Sequence, residues 1–349
     1  MSRYIFFTLV LLMVAFLSGC SLLNKGFTES LGGIIKSSDG GNIWEVKNKI
    51  NDKLNISAVD IVAIEIDPAN SNKIYLGTKN KGLLVSEDGA ESWSETNFPA
   101  SKNVYGVAID HSNSQVVYAS GSLKDRGKIF KTEDGGENWE EIYTEPSNGT
   151  YITSLSMSDF DSQNIFAGTS LGVIFKTNNG GASWDNIYFE EEDPIANIIF
   201  SNDSRNTIYF LFYGSSVRIS SDGGQTLSSI EGLSDKINGG KPYSIDVQKF
   251  TDGVFYIGTD KGLFKATNYG ANVDELDIIA SSKKFPVRSI SINPSNPSEI
   301  IYSVAQAIYK TSDGRENWST TQLDTTKNIS IIRFNKENPR IIYAGFRDF

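Results

Sequence analysis

One eight-residue pattern recurs seven times along this 349-residue chain, and nothing else in the sequence restricts the fold as strongly. The copies are SSDGGNIW (37–44), SEDGAESW (86–93), TEDGGENW (132–139), TNNGGASW (177–184), SSDGGQTL (220–227), TNYGANVD (267–274) and TSDGRENW (311–318). Their third positions are Asp39, Asp88, Asp134, Asn179, Asp222, Tyr269 and Asp313, spaced by 49, 46, 45, 43, 47 and 44 residues. All 5 tryptophans, Trp44, Trp93, Trp139, Trp184 and Trp318, stand at the eighth position of a copy. Independent placement does not produce that alignment. A period of about 45 residues is the length of one four-stranded propeller blade.

A second pattern precedes the boxes, as in IVAIEIDPANSNKIYLGT (61–78), ITSLSMSDFDSQNIFAGT (152–169) and VRSISINPSNPSEIIYSV (287–304). Each copy is an alternating apolar strand, a turn of Asp, Asn, Ser and Pro, and a second strand rich in β-branched and aromatic residues. A short strand such as GLLVS (82–86) leads into each box and another follows it; no stretch reads as a helix. The order is offset. The chain starts with a box hairpin that lacks a preceding strand pair and ends with a strand pair that lacks a box. Joining IIYAGF to GGIIKSSDGG completes one blade. The expected fold is therefore all-β, a seven-bladed β-propeller of four-stranded antiparallel blades over residues 33–349, closed by a 2+2 blade shared between the termini. Closure leaves no open sheet edge between first and last blades.

Within a box, Ser or Thr opens a turn, the Asp carboxylate is placed to accept from backbone N–H groups that follow, and Gly permits positive φ. The Trp is expected to fill space between blades. The boxes resemble the Asp-box, or BNR repeat, of sialidases and sortilin-type propellers. That resemblance implies a turn between third and fourth strands, with Asp39, Asp88, Asp134, Asn179, Asp222, Asp313 and the five tryptophans as scaffold. The sixth box lacks both the third-position Asp and the eighth-position Trp, so an irregular outer edge is expected in that blade.

The first twenty residues carry a different signal. Arg3 is a minimal positive segment, Tyr4 to Leu17 is an apolar run, and Leu17-Ser18-Gly19-Cys20 follows. The run has the length of an export-signal core and is short for a bilayer span. Residues 17–20 resemble the bacterial lipobox, which implies a signal peptide over 1–19, a lipid on Cys20 and a lipidated tether over 20–32. Cys20 is the only cysteine, so no intramolecular disulfide is available. Ser21, rather than Asp, resembles the outer-membrane sorting pattern. The expected location is the bacterial cell envelope, lipid-anchored, at the outer membrane or cell surface.

The net charge is −10, and −11 once Arg3 leaves with the signal, with no basic run. That excludes nucleic acid as a partner, because phosphate recognition needs clustered Lys and Arg. One His and one lipid-bearing Cys do not build a zinc site or a Cys/His nucleophile. No phosphate-cradling glycine loop occurs. Neither a metal nor a cofactor is expected.

The face opposite the boxes carries the loops where propellers bind. Its candidates are Tyr105, Tyr151, Tyr243, Lys241, Asp260 and Arg288, with Lys79, Lys124, Asp125, Arg126, Tyr213, Lys283, Lys284, Arg347 and the acidic run 190–193 around them. Tyr105, Tyr151 and Tyr243 are expected at comparable places near the axis. Sialidases need an arginine triad, and no Arg precedes Arg126 in the mature chain. The repeat at Asp67 to Leu83 is similar to that of two-propeller xyloglucanases, whose glycoside chemistry needs two carboxyls about 5–10 Å apart. No such pair is evident, and no catalytic residue is assigned. The chain is also similar to photosystem II assembly factor-type propellers. The resulting expectation is a monomeric, non-enzymatic envelope scaffold that docks a protein or peptide; the alternative is a carbohydrate-active propeller that binds or cleaves glycan.

Overall fold

The computed structural model describes residues 31–99, 103–188, 193–201, 203–279, 285–314 and 316–349. The signal, Cys20 and the tether up to residue 30 lie outside these, as do Glu190, Glu191, Glu192, Lys283 and Lys284. Leu31–Phe349 is one compact unit.

Seven four-stranded antiparallel sheets are present among the described residues, each formed in chain order except one. Blades 1 to 6 span residues 60–95, 107–144, 152–188, 195–229, 242–276 and 287–322. Blade 7 takes its inner strands, Asn328–Phe334 and Ile342–Arg347, from the end of the chain and its outer strands, Ile34–Ser37 and Glu45–Val46, from the start. The seam pairs Ile34 with Gly345, Ile35 with Ala344, Lys36 with Tyr343 and Ser37 with Ile342. The expected 2+2 closure is thus the observed one.

A single hydrogen bond recurs in every blade and fixes which end of the ring each turn occupies. In boxes one to seven the N–H groups of Gly40, Gly89, Gly135, Gly180, Gly223, Tyr269 and Gly314 donate to Arg340, Asn72, Gln115, Gln163, Asn206, Gly253 and Ser298 carbonyls. Six of the acceptors lie in the turn between the first and second strands, and Gln163 lies near the start of its second strand, Asp161–Thr169. Boxes and these turns therefore share one face, and the inner strands begin at the opposite one. In blade 7 this bond joins the two ends of the chain.

Inside the box, Ser37 Oγ–H donates to Asp39 Oδ1 (2.8 Å), which also accepts from the N–H groups of Asn42 and Ile43 (3.0 Å each). The Ser37 oxygen accepts from Gly41 N–H (2.8 Å). Asp134, Asp222 and Asp313 repeat the arrangement, accepting from the backbone N–H of Asn138, Thr226 and Asn317. These bonds hold all three carboxyls at about 2, well below the usual range.

Seven apolar clusters occupy the seven junctions between adjacent blades. Trp44, Trp93, Trp139, Trp184 and Trp318 sit in five of them. Trp93 is 1% exposed, and its indole N–H donates to the Lys47 carbonyl of blade 7 (2.7 Å). Trp318 likewise donates to the Asp277 carbonyl of blade 5 (2.9 Å). The glycine of the second-strand motif is explained by the same junctions. A Cβ on Gly77 would stand 2.4 Å from the Val104 carbonyl of the next blade, and one on Gly168 2.4 Å from Ile195.

Two expectations are corrected. Leu233–Lys236 forms a one-turn helix after blade 4, where Leu233 and Ile237 cover the cluster shared with blade 5. The outer edge of blade 5 is regular: Asn272–Leu276 pairs along five positions, whereas Ser94–Glu95 and Ser228–Ser229 pair along two. The sixth box closes through a short 3-10 turn at Asn268–Gly270, so the two strands stay in register up to Thr267 and Asn272. Without that Asp and Trp the loop is short and the strand stays paired.

The carboxyl groups of Asp134, Asp222 and Asp313 are depressed in the folded state, so their contribution is complete above the ordinary value of 3.8 and is lost as pH falls toward 2. Thermal melts from pH 5 to pH 2 should show stability dropping across that window, with a shallower drop in Asp134→Asn; equal slopes would contradict the assignment. Trp93→Ala should lose about 3–5 kcal/mol in denaturant unfolding, because it empties a buried site and leaves the Lys47 carbonyl unpaired.

Candidate functional site

The inner strands surround an axial cavity of about 850 Å³ that reaches from one face of the ring to the other. Its wall is built from register. In six blades the inner strand shifts by one residue near its start, between Ile61 and Ala63, Ile152 and Ser154, Ile195 and Asn197, Pro242 and Ser244, Val287 and Ser289, and Ile329 and Ile331. The bulged residues are Val62, Thr153, Ala196, Tyr243, Arg288 and Ser330. In blade 2 the strand is shorter, and Tyr105 takes the same place beside Gly106, whose N–H donates to Ser120 Oγ (2.8 Å). All seven line the cavity at the mouth opposite the boxes. A bulge re-aims a side chain that the pleat would otherwise bury between blades.

Small bulge residues stitch the ring. Thr153 Oγ1–H donates to the Ile195 carbonyl of blade 4 (2.8 Å), and Ser330 Oγ–H to the Ile61 carbonyl of blade 1 (2.9 Å). Large ones face the mouth. Tyr243 packs edge-on to Tyr213, with ring centroids 5.1 Å apart. Arg288 donates through Nη1 to the Tyr213 hydroxyl, lies over the Tyr243 ring at 5.3 Å and stacks on Phe349 at 3.9 Å. Arg347 covers the same Phe349 ring at 5.0 Å. The mouth thus carries two guanidinium groups and three aromatic rings on its blade 4 to blade 7 side. Aromatic faces and cations in this arrangement attract one another and leave flat apolar surface beside positive charge.

The six sequence candidates divide. Tyr105, Tyr151, Tyr243 and Arg288 all line the cavity. Tyr105 and Tyr243 share the bulge position, but Tyr151 precedes its bulge by two residues and is not their equivalent. Its hydroxyl donates to Asp125 Oδ1 (2.7 Å), and that bond holds the phenol above the ordinary tyrosine range. Lys241 and Asp260 lie outside the cavity wall. Asp260 Oδ1 accepts from Lys241 N–H (2.7 Å) and Asp260 N–H donates to the Lys241 carbonyl (3.2 Å), a local clamp between two loops. Phe349 was not among the candidates, since it belongs to no repeated position.

Lower in the channel a second tier repeats. Glu65, Ala108, Ser156, Ile199, Asp246, Ser291 and Arg333 are equivalent, each opposite the second residue of its neighbouring strand's aromatic or apolar core segment. All line the cavity. Glu65 keeps contact with the channel yet is enclosed by protein, and this loss of water pushes its carboxyl up to about 7 against the pull of Lys336 and Arg333.

No protein-family model matches the chain. A probable oligoxyloglucan-reducing end-specific xyloglucanase of Neosartorya fischeri is 34% identical over 88 residues, 24% of this chain and 11% of that protein. Among solved structures, the GH74 xyloglucanase from Xanthomonas campestris superposes with a TM-score of 0.70 at 14% identity, covering 82% of this chain and 51% of that one. A structure of YCF48 bound to D1 peptide gives a TM-score of 0.62 at 15% identity, covering 83% of this chain and 94% of that one. The chain therefore spans about half the length of the xyloglucanase structure and nearly all of the YCF48 structure, and both likenesses are of fold.

Asp125→Asn should bring the Tyr151 ionisation down toward the ordinary tyrosine value, read as the alkaline ultraviolet difference between each protein and its Tyr151→Phe partner. No shift would mean the two groups do not touch in solution.

Proposed function

We propose that this chain is a lipid-anchored bacterial envelope propeller that docks an extended segment of a partner protein at the mouth opposite the boxes. The observation that carries the reading is the cluster of Tyr213, Tyr243, Arg288, Arg347 and Phe349. Rigid rings and guanidinium groups of this kind supply most of the energy in protein interfaces. They stand at the rim of a cavity wide enough to receive a side chain or chain end. The anchor reading rests on the lipobox-like Leu17 to Cys20, which would hold this ring at a membrane by its N-terminal tether. Support for a peptide ligand also comes from the YCF48 structure, which is described with a bound peptide and has nearly the length of this chain.

A glycan ligand is the second reading, and the local 34% identity to a xyloglucanase favours it. Aromatic rings at a cavity mouth stack on sugar faces as well as on peptides. The paired carboxylates of a glycosidase remain unassigned: at the mouth, Asp125 accepts from Tyr151, and Asp60 and Asp348 both face Lys327.

A photo-cross-linking residue in place of Tyr105 should capture one discrete protein in native envelopes. Arg288→Ala should weaken that capture by about tenfold or more, in line with truncation of an interface anchor. Capture unaffected by Arg288→Ala would reject the site. Saturable binding of xyloglucan oligosaccharides, abolished by Tyr243→Ala, would replace this reading with the second.

A further inference from the structure

In the second tier, at the box-side end of the cavity, two side chains of opposite charge form no ion pair among the described residues. Four members of their tier, Ala108, Ser156, Ile199 and Ser291, carry no charge, and the carboxylate of Asp246 is committed. It accepts from Ile292 N–H of blade 6 at Oδ2 (2.8 Å) and from Val247 N–H at Oδ1 (2.9 Å). Glu65 in blade 1 and Arg333 in blade 7 remain, and these two blades are adjacent, sharing one apolar cluster. Among the described residues Glu65 accepts no hydrogen bond, and Lys336, Arg333, Asp159 and Asp67 act on it through space. Arg333 donates Nη1 to the Ile332 carbonyl (3.0 Å) and pairs with no carboxylate among the described residues. Each feels the other electrostatically, but the two do not form an ion pair.

We propose that this end of the cavity binds a free α-amino acid, with its ammonium group on Glu65 and its carboxylate on Arg333. The surrounding charges select a ligand that is neutral overall and doubly charged locally. Lys249 and Lys336 line the same end beside Asp67, Asp159 and Asp246, with Lys336 facing Asp159 at 3.7 Å, so a ligand of either single charge meets like charge there. A carboxylate meets a guanidinium through two parallel hydrogen bonds, the strongest neutral-pH pairing available to Arg333. An ammonium on Glu65 replaces the water that burial removed and favours the ionised carboxyl. A polyol would satisfy neither charge. This site is separate from the aromatic mouth and does not depend on what docks there.

Because the ammonium binds ionised Glu65, and the carboxyl sits near 7 when the site is empty, affinity should rise with pH. Lys336, Arg333, Asp159 and Asp67 face that carboxyl, and His111 lines the same end from blade 2. Isothermal titration of the full-length protein in detergent, with the twenty free L-amino acids, tests the inference. At least one should bind at pH 8. Its ethyl ester, which keeps only the ammonium, and its N-acetyl derivative, which keeps only the carboxylate, should each bind at least tenfold more weakly. Glu65→Gln and Arg333→Gln should each cost at least tenfold while the melting temperature stays close to that of the parent. Between pH 6 and pH 8 the parent should gain about tenfold in affinity and Glu65→Gln should not. The inference fails if no amino acid binds, if the ester or the N-acetyl derivative binds as well as the parent compound, or if xylitol binds in their place. The two derivatives need no variant, so they decide the matter even if a substituted protein does not fold.

Discussion

Four residue pairs hold the ring shut. Ile34, Ile35, Lys36 and Ser37 lie against Gly345, Ala344, Tyr343 and Ile342, and on that ladder depend the cavity, the mouth and the tier of channel charges. Without it blade 7 would be two strands wide, and the Ile35, Ile332, Ile342 and Phe346 cluster would lose its outer layer. The seam is reinforced at both ends of the sheet. Gly40 N–H donates to the Arg340 carbonyl, Lys310 reaches the Gly40 carbonyl from blade 6, and Phe346 N–H donates to the Gly33 carbonyl (3.0 Å). The first hairpin is thus tied both to the last strand pair and to the neighbouring blade, so ring closure does not rest on one strand's ladder alone. Burial supplies the rest: each blade offers two apolar faces, and only a closed circle covers all fourteen.

Why was so much of this legible in the sequence? A repeat is measured seven times over, and its chemistry is local. The carboxylate of Asp39 finds the Ser37 hydroxyl and the N–H groups of Asn42 and Ile43 because a turn of that length brings those donors to it. The offset between first box and last strand pair gave away the 2+2 blade by simple counting. Local reasoning failed where the loop length changed. The sixth box, stripped of Asp39-like and Trp44-like residues, reads as damaged, but its shorter turn lets Asn272–Leu276 pair further than the intact copies allow.

The channel was less legible for a different reason. A bulge is a difference of one residue between two paired strands, and neither strand alone records it. Tyr105, Tyr151 and Tyr243 look alike at the head of their strands, yet Tyr243 occupies a bulge, Tyr105 stands at the equivalent place and Tyr151 does not. Arg288 and Phe349 come from blades 6 and 7 and meet only because both point over the mouth. Glu65 was invisible too. In IVAIEID it stands where an alternating strand places a solvated residue, and its meaning emerges only when the seven inner strands are superposed by register.

Repetition itself then separates structure from function in this fold. Seven equivalent positions that all carry the same chemistry, such as the box-to-turn hydrogen bond, maintain the ring. A tier whose members differ is free of that duty. Ala108, Ser156, Ile199 and Ser291 show that neither charge nor length is needed for blades to pack at that height. Glu65 and Arg333 are charged there without serving the packing, and burial makes each unfavourable when unpaired. Asp246 shows how the same position looks when a charge does serve the scaffold: it is tied to the next blade by two backbone donors. The mouth obeys the same logic, since Thr153 and Ser330 use the bulge to bind the adjacent blade whereas Tyr243 and Arg288 turn it toward the opening. In a ring of copies, the uncommitted exception is where a ligand has room to matter.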